Sequence, residues 1–199
     1  MNYPEFFDKI PNIKLKDNLS SFLGAFEDGQ IEFSYKDVIK SAGHSCPTVL
    51  GAYLMTYKAL DELYKNEMPI RGEIKIEFST KQTEGVTGVI SNVMSNITGA
   101  TFDTGFKGLA GNFDRRFLMF FEKDISSSVR YTRVDTQKSV DVFYDTSSIK
   151  MSEELQTLMQ KAISKNANEQ ELKEFGKLWQ NRVEEISNKV DEVISVVKI

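Results

Sequence analysis

Hydrophobic positions along the chain change period several times, and each change predicts an element. Leu50, Tyr53, Leu54, Tyr57, Leu60, Leu63 and Tyr64 recur at i, i+3, i+4 and i+7, which predicts an amphipathic helix over 47–65. Gly51, Ala52 and Ala59 on the same stretch admit a close neighbour. Ile74, Ile76 and Phe78 alternate with charged residues and predict a strand over 73–78. Val86, Val89, Ile90, Val93, Met94 and Ile97 predict a second helix over 84–98. The unbroken run Phe117 to Phe121 predicts a buried strand, and two further strands, 128–135 and 139–145, follow from the alternation of Val129 and Tyr131 and of Val140, Val142 and Tyr144. Earlier, Ile31 to Tyr35 reads as a short strand and Asp37 to Ser41 as a helical turn. Residues 1–25 show irregular helix-like spacing (Phe6, Phe7, Ile10, Ile13, Leu15, then Leu19, Phe22, Leu23) broken by Pro11. From Met151 onward the chain reads as helical. Asn168 caps the second helix of that region, and Glu171 stands at the capping-box position.

The pattern predicts an α+β fold, an antiparallel or mixed sheet packed with helices and followed by long C-terminal helices. Three segments result: a helical lead-in over 1–30, an α+β core over 31–150, and a helical segment over 151–199 that packs on the core or on a partner chain. The tyrosines of the first long helix read as core residues.

Composition narrows the function. A net charge of −4 and a pI near 5.2 give no electrostatic case for nucleic acid. A single cysteine forms no internal disulfide. Met1 to Ile10 lacks the pattern of a signal peptide, and no apolar run reaches the length of a membrane span, so a cytoplasmic protein without a membrane partner is expected. Gly105, Gly108 and Gly111 do not have a nucleotide-binding spacing. Arg115, Arg116, Arg130 and Arg133 either meet an anionic ligand or lie on a solvated sheet face.

Candidate chemistry concentrates in Gly43-His44-Ser45-Cys46-Pro47, which holds the only histidine and the only cysteine of the chain. Pro47 suits the first turn of a helix, which puts Cys46 at the N-cap with unpaired backbone N–H groups facing its sulfur. His44 lies just outside on backbone loosened by Gly43. Both side chains can reach one ion there, and a tetrahedral shell still needs further donors or an open position. The alternative is plain packing of a small apolar thiol beside a hydrogen-bonded imidazole.

On Ala42-Gly43-His44-Ser45-Cys46-Pro47, Gly51 and the helix after it, the chain resembles the formylmethanofuran dehydrogenase E-subunit family, whose H-x-C-P block also opens a helix. Thr98-Gly99-Ala100-Thr101-Phe102 looks like the family's T-G-C-T-x-G segment, and the resemblance covers about residues 30–187. It implies an α+β core, a homodimer, and a cleft in which His44 and Cys46 bind a transition metal such as zinc or nickel. The departures are specific. Aligned without gaps from Gly99, the family's helix cysteine falls on Val89, its acidic residue near Asn92 and its second cysteine on Ala100. Asp103 replaces a glycine, and the C-x-x-C of a zinc finger is absent. Asn92, Asp103, Glu84, Met94, a partner chain or an added small-molecule ligand remain to complete a shell.

Three readings follow. One is a metal-binding protein using His44 and Cys46, with its status as an enzyme open. Another is a haem-binding or haem-sensing protein with His44 or Cys46 as axial ligand beside Met94 or Met55. The last is a non-catalytic dimeric interaction module working through its helical tail.

Overall fold

Residues 3–199 are described by the computed structural model; Met1 and Asn2, where the segment read for a signal peptide begins, lie outside the described residues. The fold is α+β with two sheets. Strand β1 (Ile13–Lys16) pairs antiparallel with β2 (Gln30–Phe33), from Ile13 opposite Phe33 to Lys16 opposite Gln30. A short helix, α1 (Asn18–Phe22), lies between them in the chain. After β2 come α2 (Tyr35–Ala42), α3 (Pro47–Tyr64), strand β3 (Ile74–Phe78) and α4 (Thr87–Thr98). A long loop leads to β4 (Met119–Phe120), β5 (Val129–Arg133) and β6 (Ser139–Tyr144). The chain then forms α5 (Glu153–Ile163), α6 (Glu169–Asn188), the single turn α7 (Val190–Val193) and β7 (Ile194–Lys198). The main sheet has the order β4-β3-β5-β6-β7; its short β3–β4 pair is parallel and its other pairs are antiparallel.

Helix α3 is the centre. Its expected amphipathic stripe is broader than the spacing alone implied, because every residue from Val49 to Thr56 is buried. A helix that is apolar all round belongs in an interior, and α2, α4, α6, β6 and β7 all pack against α3. Gly51 permits the closest of these approaches. A Cβ added there would collide with the Tyr144 ring of β6. Tyr53 and Tyr64 are core residues, as expected. On the main sheet, Ile74, Ile76, Val129, Tyr131, Val140 and Val142 are buried. The alternate positions carry pairs such as Arg130–Asp141 and Lys75–Glu77.

Four expectations change. The lead-in is not helical throughout: Ile13 and Leu15 are buried while Lys14 and Lys16 are exposed, a period of two that β2 was available to pair. The run 117–121 yields only a two-residue strand, because Phe117 turns outward with φ +57°. The region after 151 is not all helix. Its last β-branched residues, Ile194, Val196 and Val197, leave α7 as a strand and pair with β6, from Tyr144 opposite Ile194 to Val140 opposite Lys198. The four arginines do not gather: Arg115 pairs with Asp17, Arg116 with Asp114, Arg130 with Asp141, and Arg133 with Glu67 and Asp135. The Asn168–Glu171 capping box is present.

A buried ionic node ties the N-terminal strands to α4. Asp17 accepts from Arg71 Nη1 at 2.9 Å and from Arg115 Nη2 at 2.6 Å, and it caps α1 through the Ser20 amide. Arg71 also donates to the Asn96 and Ile97 carbonyls at the end of α4. Burial by itself raises the Asp17 pKa; the Ser20 amide and the two guanidiniums outweigh it and hold the carboxyl below its ordinary value. A lowered folded-state pKa gives stability that is complete above the unfolded value and is lost as pH falls through the folded one. Asp17→Ala is therefore expected to cost about 3–5 kcal/mol at neutral pH, since it leaves the buried Arg115 guanidinium unpaired and takes the carboxylate partner from the half-buried Arg71. The penalty should shrink in acid, and denaturant unfolding at both pH values measures it. Gly51→Ala, which must displace the Tyr144 ring, is expected to cost about 1–3 kcal/mol in the same assay.

Candidate functional site

The Gly43–Pro47 loop is set by the helices on either side of it. Ser34 and Asp37 form a capping box that starts α2. The helix ends at Ala42, and Gly43 takes φ +78° with its amide bonded to the Ile39 carbonyl at 2.8 Å. His44 then folds back, and its Nδ1 lies 3.0 Å from the Ala42 carbonyl. A carbonyl only accepts, so Nδ1–H is the donor, and in the neutral ring the lone pair is then on Nε2. Cys46 is the N-cap of α3, as expected, with Pro47 in the first turn, and the Val49 amide donates to Sγ at 3.4 Å.

Distant elements clamp this loop. Ser45 O accepts from Trp179 Nε1 at 3.1 Å and from Gln180 Nε2 at 3.2 Å, both on α6. The Ser45 hydroxyl lies 3.0 Å from the Tyr35 hydroxyl, and Tyr144 Oη donates to Pro47 O at 2.7 Å. Burial pushes the Tyr35 and Tyr144 pKa values well up, so both phenols stay neutral and able to donate.

Between α2 and α4 a cleft of about 170 Å³ opens beside the loop. The α2 side and its following turn contribute Val38, Ser41, Ala42 and His44. The α4 side contributes Val89, Asn92, Val93 and Asn96. The structure thus brings His44 together with Val89 and Asn92, two of the positions singled out by alignment. Cys46 does not line the cleft, and its sulfur is half-buried at the start of α3. Ala100 is fully buried, Met94 and Met55 are core residues, and Glu84 and Asp103 are exposed away from the lining.

The donor set of the cleft is therefore one imidazole, two carboxamides and one hydroxyl. Among the described residues no three His, Cys, Asp or Glu side chains converge as a metal cage. The set does not fit a closed four-ligand site. What remains around the cleft is a single imidazole among neutral oxygen and nitrogen groups.

Asn96 and Ser41 escaped the sequence reading. Asn96 had a signal, since it follows Asn92 by one helical turn. Trp179 and Gln180 had none, because they meet Ser45 from more than 130 positions away. No protein-family model matches the chain, and no curated protein matches it.

Removing both α6 donors with Trp179→Phe and Gln180→Ala is expected to free the loop while keeping an aromatic ring at residue 179. Two lost bonds of about 1 kcal/mol each correspond to about a 5–30-fold gain in loop opening. The rate at which Cys46 reacts with an aromatic disulfide reads this, and an unchanged rate means that α6 does not hold the loop.

Proposed function

We propose that this chain is a transition-metal-binding protein in which His44 anchors the ion at the α2–α4 cleft and Cys46, two residues away, supplies or gates a second donor. The observation that carries the reading is the Nδ1–H bond from His44 to the Ala42 carbonyl. Metal-binding imidazoles are oriented by a bond of this kind, which fixes the tautomer and aims the other nitrogen at the ion. Asn92, Asn96 and Ser41 support the reading as neutral oxygen donors around the same space. A further support is positional: Val89, on which the helix cysteine of the formylmethanofuran dehydrogenase family falls, and Asn92, near which its acidic residue falls, share the cleft with His44.

Size favours an ion over haem. Pockets for ligands of drug size run to about 300–1,000 Å³, and this cleft is smaller. Met55 and Met94, the companions that a haem reading needs, are buried in the core. A bound transition metal would supply a Lewis-acid centre, and a small ligand would occupy the remaining coordination positions. His44 would orient the ion, Asn92 and Asn96 would shape the ligand's seat, and Val38, Val89 and Val93 would form its apolar walls.

Titration of the untagged protein with Co²⁺, Ni²⁺ and Zn²⁺ tests the reading. Stoichiometric binding is expected, with a loss of at least about tenfold in affinity on His44→Ala. Returning a carboxylate to the cleft with Asn92→Asp is expected to tighten binding by about the same factor. A thiolate-to-cobalt charge-transfer band that disappears in Cys46→Ala identifies Cys46 as a ligand. Binding that depends on His44 without that band removes Cys46 from the shell. No stoichiometric binding, or binding indifferent to His44→Ala, sinks the proposal.

A further inference from the structure

A pocket of about 300 Å³ shares no lining residue with the α2–α4 cleft. It lies where α3 stops. Lys65 takes φ +54° and ends the helix, and the last turn of α3, the first residues of β6 and the end of β7 wall the space. The strand register brings the two strand ends together, with Val140 opposite Lys198 and the Ile199 amide donating to Ser139 O at 3.1 Å. Sites for small organic molecules begin at about this volume.

The charge of this pocket is opposite to that of the chain. Lys65, Lys138 and Lys198 line it against one carboxylate, Glu62, in a protein of net charge −4. Lys198 Nζ lies 2.8 Å and Lys65 Nζ 3.0 Å from Glu62 Oε1. These two ammoniums hold the Glu62 carboxyl below its ordinary pKa, so it stays ionised and keeps them at the pocket. An ammonium carries three donors, so each has capacity left after serving Glu62. Among the described residues the Lys138 ammonium has no partner. Two features oppose an anion: the C-terminal end of α3, worth about half a negative charge, and any carboxylate ending the chain at Ile199. Together with Glu62 they still fall short of three ammoniums.

The remaining wall narrows the class of ligand. Leu63 and Val140 are buried at the edge of the core, and Ile199 beside them is exposed by 63%. A bare inorganic anion would satisfy the lysines and leave Ile199 in water. A molecule with an apolar body and one anionic head uses both sides, because its body also removes apolar surface from water. A carboxylate head offers two oxygens to the ammoniums of Lys138 and Lys198, in charge-assisted bonds stronger than neutral ones. A polyanion such as nucleic acid meets the acidic remainder of the surface, whereas a small monoanion meets only the pocket.

We propose that this pocket binds a small organic carboxylate, its head on Lys138 and Lys198 and its apolar body against Leu63, Val140 and Ile199. Titration calorimetry and amide chemical shifts on the untagged full chain test it, with octanoate as the probe. Octanol tests the apolar body alone and inorganic phosphate the anionic head alone. Octanoate is expected to bind once per chain with a Kd below about 1 mM, to move the amides of 62–65, 138–140 and 198–199, and to weaken as salt rises. Lys138→Gln removes an exposed side chain without a partner, so circular dichroism should not change. It is expected to weaken octanoate by about tenfold, the worth of one hydrogen bond to a charged group. Lys173→Gln, the same loss of charge on the exposed side of α6, should have no effect. No saturable binding, shifts confined to other segments, octanol or phosphate bound as tightly as octanoate, or binding indifferent to Lys138→Gln each overturns the proposal.

Discussion

Helix α3 must be surrounded, and most of the architecture follows from that. Eight consecutive buried residues leave it no solvent face in its first half, so neighbours have to arrive from every side. The sheet arrives through β6 and β7, and the helices through α2, α4 and α6. Small residues set how close they come, and Gly51 lets the Tyr144 ring lie against the helix backbone. The same tyrosine then reaches the Pro47 carbonyl in the first turn of α3. Packing of the core and placement of the candidate site are therefore one event: the helix that fills the interior is the helix whose N-terminus carries Cys46.

This coupling explains why a loop rich in small residues can hold a defined shape. Ser45 O, flanked by His44 and Cys46, is bound by two donors from α6, and the Ser45 hydroxyl by Tyr35. A carbonyl left alone in a half-buried position would cost more than these bonds return individually. The C-terminal helices thus serve the loop as well as the core, and β7 fastens them by closing the sheet beyond α6. Arg71 performs a comparable task on the far side of the cleft. It binds the last carbonyls of α4 and the buried Asp17, fixing the helix that carries Asn92 and Asn96.

The cleft itself is chemically modest, and that is informative. Val89 and Asn92 present an apolar wall and a neutral amide beside His44.

Local signals were strong enough to read much of this from the sequence. The period of 3.6 in α3 and α4, the alternation in β3, β5 and β6, the capping box at Asn168, and Pro47 after a capping Cys46 are all decided within a few residues, so sequence neighbours suffice. His44 and Cys46 stood out because each residue type occurs once. The rest was decided only by partners distant in the chain. Ile13 to Lys16 is a strand because β2 pairs with it, and Ile194 to Lys198 because β6 offered a free edge. Asn96 joined His44 only when α2 and α4 came together, and Trp179 and Gln180 became part of the loop only when α6 docked. Periodicity records which face of an element seeks burial. It does not record what will cover that face, and here the covering residues determine the shape of the site.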